Sequence, residues 1–228
     1  PPQTPLPGSD FDRRHLHLVS SKLSEKVAEL QIAHDRLAAL VELNLQLASE
    51  HDRTRLLAHA CSGARALTGA EYCTIAVQQS HDMPAQVSHS GIDAGVLADI
   101  GPVRVDHGEL GRVYRDDRVL KTRVAQDQDF DSGLPEGYPP LRELLAASIK
   151  SPSTRYGWVL LGNSRDDGGF GPADVELIKI LGAQTGRIYE NACLFTKMQQ
   201  YADELQAGII ERERVRQSLA AQCKVAKI

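Results

Sequence analysis

The stretch SIKSPSTRYGWVLLG, residues 148–162, reads as a β-hairpin and decides the fold class. Its second half concentrates aromatic and branched side chains, which suit a buried pleated strand. Pro152, Ser153 and Thr154 supply the turn that joins it to a short strand at 148–151. Upstream, YCTIAV at 72–77 is another β-rich run short enough for a buried strand. Weaker strand patterns lie at 85–90 and 119–124. Between them, 92–100 reads as a short helix and 109–114 as a helical turn. The glycines and prolines of SGLPEGYPP, 132–140, mark a loop. One helical turn is expected at 141–145. This mixture predicts an α/β (α+β) domain.

Helices bracket this region. One has Asp52 or a neighbour as its start, an apolar face of Leu56, Leu57, Ala60, Ala64 and Leu67, and Gly69 as its stop. Before it, Leu23, Val27, Leu30, His34, Leu37, Val41, Asn44 and Ala48 alternate steps of four and three. That is the a/d spacing of a coiled coil. His34 and Asn44 read as partly solvated seam residues, with register control as the functional alternative. The last helix opens with Gly171 as N-cap and Pro172 in its first turn, and Asp174 and Glu176 suit the helix dipole. No proline follows Pro172, so the helix is expected to reach about Leu219, roughly 70 Å. Leu177, Ile180, Leu181 and Ile188 suit packing on a sheet. Leu194, Met198, Tyr201 and Leu205 then return to coiled-coil steps. Gly182 and Gly186 share a face and predict close packing on the sheet. The expected division is a disordered tail at 1–19, a coiled-coil helix at 20–50, the α/β domain at 51–195 and a coiled-coil linker helix at 196–228.

Composition narrows the function classes. The chain has 228 residues, 42% of them hydrophobic and 25% charged, enough for a sizeable core. A net charge of −4 gives no general attraction to nucleic acid. Cys61, Cys73, Cys193 and Cys223 form no C-x-x-C pair, which points to reduced thiols in the cytoplasm rather than a zinc site. No metal site and no membrane span are expected, because no apolar run approaches the ~18 residues a span requires. The acidic loop DQDFDSG at 127–133 lacks the glycine and glutamate that a calcium loop needs. Gly168, Gly169 and Gly171 lack the lysine of a phosphate loop.

Three segments carry a resemblance: LLAHACSGARALTGAEYCTIAV at 56–77, GLPEGYPPLRELLAASIKSPSTRYGWVLLGN at 133–163, and FGPADVELIKILGAQTGRIYENACLF at 170–195. Together they resemble a GAF domain. The segment YADELQAGIIERERVRQSLA at 201–220 is similar to the connectors of bacterial sensor histidine kinases. The resemblance implies a central antiparallel sheet flanked by long signalling helices, with a ligand pocket between the sheet and the loops of 87–138. Polar candidates there are His89, Asp106, His107, Tyr114, Arg123 and Tyr138. Cys73 and Trp158 lie on strands and face either the pocket or the opposite side.

The resemblance also bears on cofactors. Haem-ligating relatives carry histidine directly before the paired prolines, where this chain has Tyr138. Haem is therefore not expected, although His89 or His107 remain substitutes. Bilin attachment needs a reactive cysteine, and Cys73 sits in an apolar run that favours an inert thiol. The methionine-sulfoxide-reducing relatives use loop cysteines, and 87–140 contain none. No catalytic set emerges: there is no G-x-S-x-G elbow, and the absence of any histidine after His107 and of an ATP lid excludes a complete kinase.

The expected function is a regulatory sensory domain of a bacterial two-component protein. It would bind a small ligand or relay a conformational change through paired helices, with Leu23, Val27, Leu30, Leu37, Val41, Leu194, Met198, Tyr201 and Leu205 facing a second copy. The output domain, a kinase by resemblance, would follow. The alternatives are a ligand-free dimerising spacer and a haem-based or redox sensor.

Overall fold

A computed structural model describes residues 8–50, 52–80, 83–124, 130–165 and 168–225. The chain divides into two bodies, Pro1–Leu45 and Gln46–Ile228. The described residues of the first, 8–45, belong to a single helix, α1 (Gly8–Ser49). The helix is described from Gly8, within the stretch 1–19 expected as a tail; no proline interrupts it after Pro7. Along α1, Leu23, Val27, Leu30, Leu37 and Val41 are all at least half exposed.

The second body is built on a sheet. Helix α2 (Arg53–Thr68) begins where Asp52 accepts from the backbone N–H of Thr54 and Arg55 at 2.8 and 3.0 Å. It ends at Gly69, whose φ of 65° is the left-handed conformation of a C-terminal cap. Strands β1 (Ala70–Val77), β2 (Gln86–Ser90), β3 (Leu120–Arg123), β4 (Glu143–Lys150) and β5 (Arg155–Ser164) form one sheet in the order β2-β1-β5-β4-β3, with antiparallel neighbours throughout. Helices α3 (Ala94–Asp99) and α4 (Gly108–Asp116) lie between β2 and β3 in the chain. Helix α5 (Pro172–Val225) closes it.

Side chains alternate across the sheet, giving it two faces. Helix α2 packs on β1 and β2, and α5 packs on β4. On the opposite face Tyr72 and Ala76 of β1, Leu144 and Ala146 of β4, and Trp158 and Leu160 of β5 form a buried layer with Val105, Leu110 and Val113. Loops cover that layer, with Leu134, Tyr138 and Leu141 packed against it.

The helical turn expected at 141–145 is corrected. Glu143 opens a strand instead, and Leu144, Leu145, Ala146 and Ala147 are all buried. Leucine and alanine favour helix locally, but burial on both faces of a central strand overrides that preference. The same preference hides the true start of the first hairpin strand, which is Glu143 rather than Ser148.

Candidate functional site

The loop face contains a small polar group inside an apolar setting. In the β1–β2 pair, Thr74 stands opposite His89, so both side chains point to the loop face. Thr74 Oγ1 lies 3.2 Å from His89 Nδ1. Tyr138 comes from the 132–140 loop, and its ring centroid lies 5.9 Å from that of His89 at an interplanar angle of 59°. Gly133, at φ 89°, lets this loop approach the chain before α4: a Cβ there would lie 2.1 Å from the His107 carbonyl oxygen. Tyr72 crosses the sheet nearby, its ring resting on Gly162, where a Cβ would lie 2.1 Å from Cζ.

A cleft of about 490 Å³ opens beside this group. Its floor is Val87 and His89 of edge strand β2. Its far wall is Leu97 of α3 with Ile100, Pro102, Val103 and Val105. Trp158 Nε1 donates to the Val105 carbonyl at 3.1 Å, which ties that wall to central strand β5. At the rim Arg104 pairs with Asp106 at 3.3 Å.

Burial sets the protonation states. Desolvation lowers the His89 pKa from its ordinary 6.5, so the ring is held neutral. Desolvation pushes the Tyr138 phenol up to about 12, with a hydrogen bond to the Thr74 hydroxyl working against it. Tyr72 is pushed higher still by burial, with Tyr138 and Glu71 adding to it. Thr74 Oγ1 stands between His89 and the Tyr138 phenol, whereas the Tyr72 hydroxyl has no hydrogen-bond partner among the described residues.

The neutral state of His89 gives a stability prediction. Between its folded pKa and 6.5 the unfolded chain binds a proton that the folded chain does not. This contribution is present above 6.5 and is lost as the pH falls toward the folded value. Thermal melts at about pH 7.5 and about pH 5.5 should show a smaller acid-induced drop in Tm for His89→Leu than for the parent chain. An equal drop in both would show that His89 does not carry the effect.

The candidate residues separate on the structure. His89 lines the cleft, Tyr138 stands behind it, and Trp158 holds the wall from beneath. Cys73 does not join them. It faces α2, where Cys61 Sγ donates to its carbonyl at 3.3 Å. Burial and the Cys61 thiol raise its pKa well above the ordinary value, which makes it a poor nucleophile for bilin or redox chemistry. His107 stands at the N-cap of α4, exposed, with Nε2 3.8 Å from Asp131 Oδ2 and in a separate cleft. Tyr114 packs on the loop-face core without lining the His89 cleft. Arg123 sits on edge strand β3 and donates to the Gly168 carbonyl at 3.1 Å. The loop segment 125–129, which holds most of the acidic run, lies outside the described residues. Sequence reasoning missed Tyr72 and Thr74. The period-two pattern of YCTIAV puts them on one face, but only the β1–β2 register shows which face.

Among the described residues, no group of three or more histidines, cysteines or acids is arranged to hold a metal ion. No described helix is long and apolar enough to cross a membrane.

Solved structures share this architecture. The GAF domain of a phosphoenolpyruvate-protein phosphotransferase from Coxiella burnetii is 12% identical at a TM-score of 0.61, covering 72% of this chain and 98% of that one. The corresponding Acinetobacter domain is 14% identical at 0.59, covering 69% and 94%. The GAF domain of a protein named as a sensor histidine kinase of Pseudomonas syringae pv. tomato is 13% identical at 0.56, covering 77% and 99%. At these identities the likeness shows the fold alone. A family model described as GAF domain matches residues 50–190. With more than half of its length so matched, the chain belongs to the GAF domain family, whose members are regulatory and sensory domains of signalling proteins.

Proposed function

We propose that this chain is the regulatory sensory part of a bacterial two-component protein, working in the cytoplasm as a homodimer. In this reading the loop face takes up a small ligand or a conformational signal. The long helices pass the change to a following output domain, a kinase in the simplest case. One observation supports the reading best. Helix α5 packs on the sheet beneath the cleft-bearing face, then continues far past the domain with Leu194, Met198, Tyr201 and Leu205 each more than half exposed. An apolar stripe of that length in water needs a partner helix, and a second copy supplies one at the same register. A ligand acts here only through its differing affinity for two helix arrangements.

Sedimentation at micromolar concentration tests the dimer. The parent chain is expected to sediment as a dimer, and the double substitution Leu194→Asp with Leu205→Asp should shift it to monomer. A monomeric parent chain would contradict the reading.

The tight filling of the loop-face layer by Tyr72, Trp158, Leu110 and Leu160 favours a second reading, a ligand-free spacer that only dimerises. Native mass spectrometry separates the two, because a retained small molecule supports sensing.

A further inference from the structure

The glycine seat of α5 sets a second cleft apart from the loop face. Gly186 lies so close to the end of β4 that a Cβ there would be 2.1 Å from the Lys150 carbonyl oxygen. Arg187, the next residue, is exposed beside that seat. It shares a cleft of about 450 Å³ with Lys150, Arg155, Asp117 and the hairpin turn 151–154. That size falls within the range of small-molecule sites.

The charges around this cleft do not cancel. Three cations, Lys150, Arg155 and Arg187, line it against one carboxylate, Asp117. Asp117 is already engaged, because it accepts from Lys150 Nζ and from Ser148 Oγ. Arg155 donates to the Arg115 carbonyl, which satisfies one N–H but neutralises no charge. Arg187 makes no hydrogen bond or ion pair among the described residues. Glu190 stands three residues further along α5, at a spacing that pairs opposite charges on a helix. It accepts instead from Ser153 Oγ at the hairpin tip. The whole chain carries a net charge of −4, so this local excess of positive charge runs against its average. Guanidinium groups suit phosphate above other anions, since two parallel N–H groups match two phosphate oxygens.

We propose that this cleft binds a free phosphorylated small molecule, held by Arg155 and Arg187 with Lys150 adding charge. The site is separate from the His89 cleft and does not rest on a ligand there. Arg187 belongs to α5, and Lys150 and Arg155 belong to the β4–β5 hairpin. A bound phosphate therefore ties the helix to the sheet just before its exposed continuation begins.

Pyrophosphate serves as the probe, titrated into the full chain at constant ionic strength and followed by amide NMR shifts. Signals of residues 150–155 and 183–187 are expected to move together, with a Kd on the order of 1 mM. Arg187→Gln should weaken binding about 10-fold, and Arg155→Gln repeats the test from the hairpin side. Lys197→Gln removes the same charge from an exposed position further along α5 and should leave the affinity unchanged. All three side chains are exposed, so each variant should melt like the parent. Shifts spread over the basic surface, or an equal loss for Lys197→Gln, would show general charge attraction and overturn the proposal. So would the absence of any shift at about 10 mM pyrophosphate. Phosphatidylglycerol vesicles present phosphate on a flat surface, and the chain is expected not to sediment with them. Sedimentation that Arg187→Gln abolishes would assign the site to a membrane and overturn the small-molecule ligand.

Discussion

Asn163→Ala is expected to lower the free energy of unfolding by about 3–5 kcal/mol in chemical denaturation. Asn163 is 4% exposed and sits in β5 with a φ of 54°. Its Oδ1 accepts from the backbone N–H of Arg142 at 2.8 Å and of Glu143 at 3.2 Å. Its Nδ2 donates to Glu71 Oε2 at 2.7 Å and to the Pro140 carbonyl at 2.9 Å. One side chain thus fastens the end of the 132–140 loop, the start of β4 and the edge of β1. Alanine leaves two main-chain N–H groups without their acceptor and must also adopt a left-handed backbone that asparagine tolerates better. Asn163→Gly separates the two effects: it removes the same hydrogen bonds but relieves the backbone, and should recover about 1 kcal/mol relative to alanine. A change below about 1 kcal/mol for alanine would show that water replaces the clamp.

Gly186→Leu should cost about 3 kcal/mol or more and loosen α5 from the sheet. A Cβ at Gly186 would lie 2.1 Å from the Lys150 carbonyl oxygen, and one at Gly182 would lie 2.4 Å from that of Ser148. The obstruction is backbone, so no side-chain rotation removes it. The expected close packing of these two glycines on the sheet is what the structure contains. Gly208 lies further along the same helix, and a Cβ there meets nothing within 4 Å. Gly208→Ala should therefore stabilise the helix by about 1 kcal/mol through helix propensity. Opposite signs at two glycines of one helix, read by denaturation and helical CD, would separate packing from propensity. Destabilisation of equal size at both would contradict the packing account.

The fold was legible in the sequence wherever local chemistry and burial agree. Asp52 and Gly69 bound α2 because capping is local, and Pro172 opens α5 for the same reason. The Tyr156–Trp158 strand was clear because aromatic and branched residues cluster there. Residues 143–147 were misread because Glu, Leu and Ala favour helix, and nothing short-range reveals a strand buried on both faces. The site was less legible. His89 and Tyr138 could be named as polar loop-face candidates, but Cys73, Tyr114, His107 and Arg123 could not be sorted from them. Sorting depends on the Thr74–His89 register and on the face each strand turns to α2, both of which are long-range. Asn163 gave no signal in advance, since a lone asparagine after a strand looks like any turn residue.

The relay itself is tested most directly by fusing the chain, in helical phase after α5, to a histidine kinase core and measuring autophosphorylation. Parent and Leu30→Asp/Leu37→Asp fusions are compared at equal concentration. Both leucines are exposed on α1, at 69% and 59%, so the substitutions spare the packed core of the domain. The account predicts that the charged pair changes kinase output severalfold in the fusion while the thermal melt of the domain stays in place. Output identical to the parent fusion, with the same melt, would contradict it.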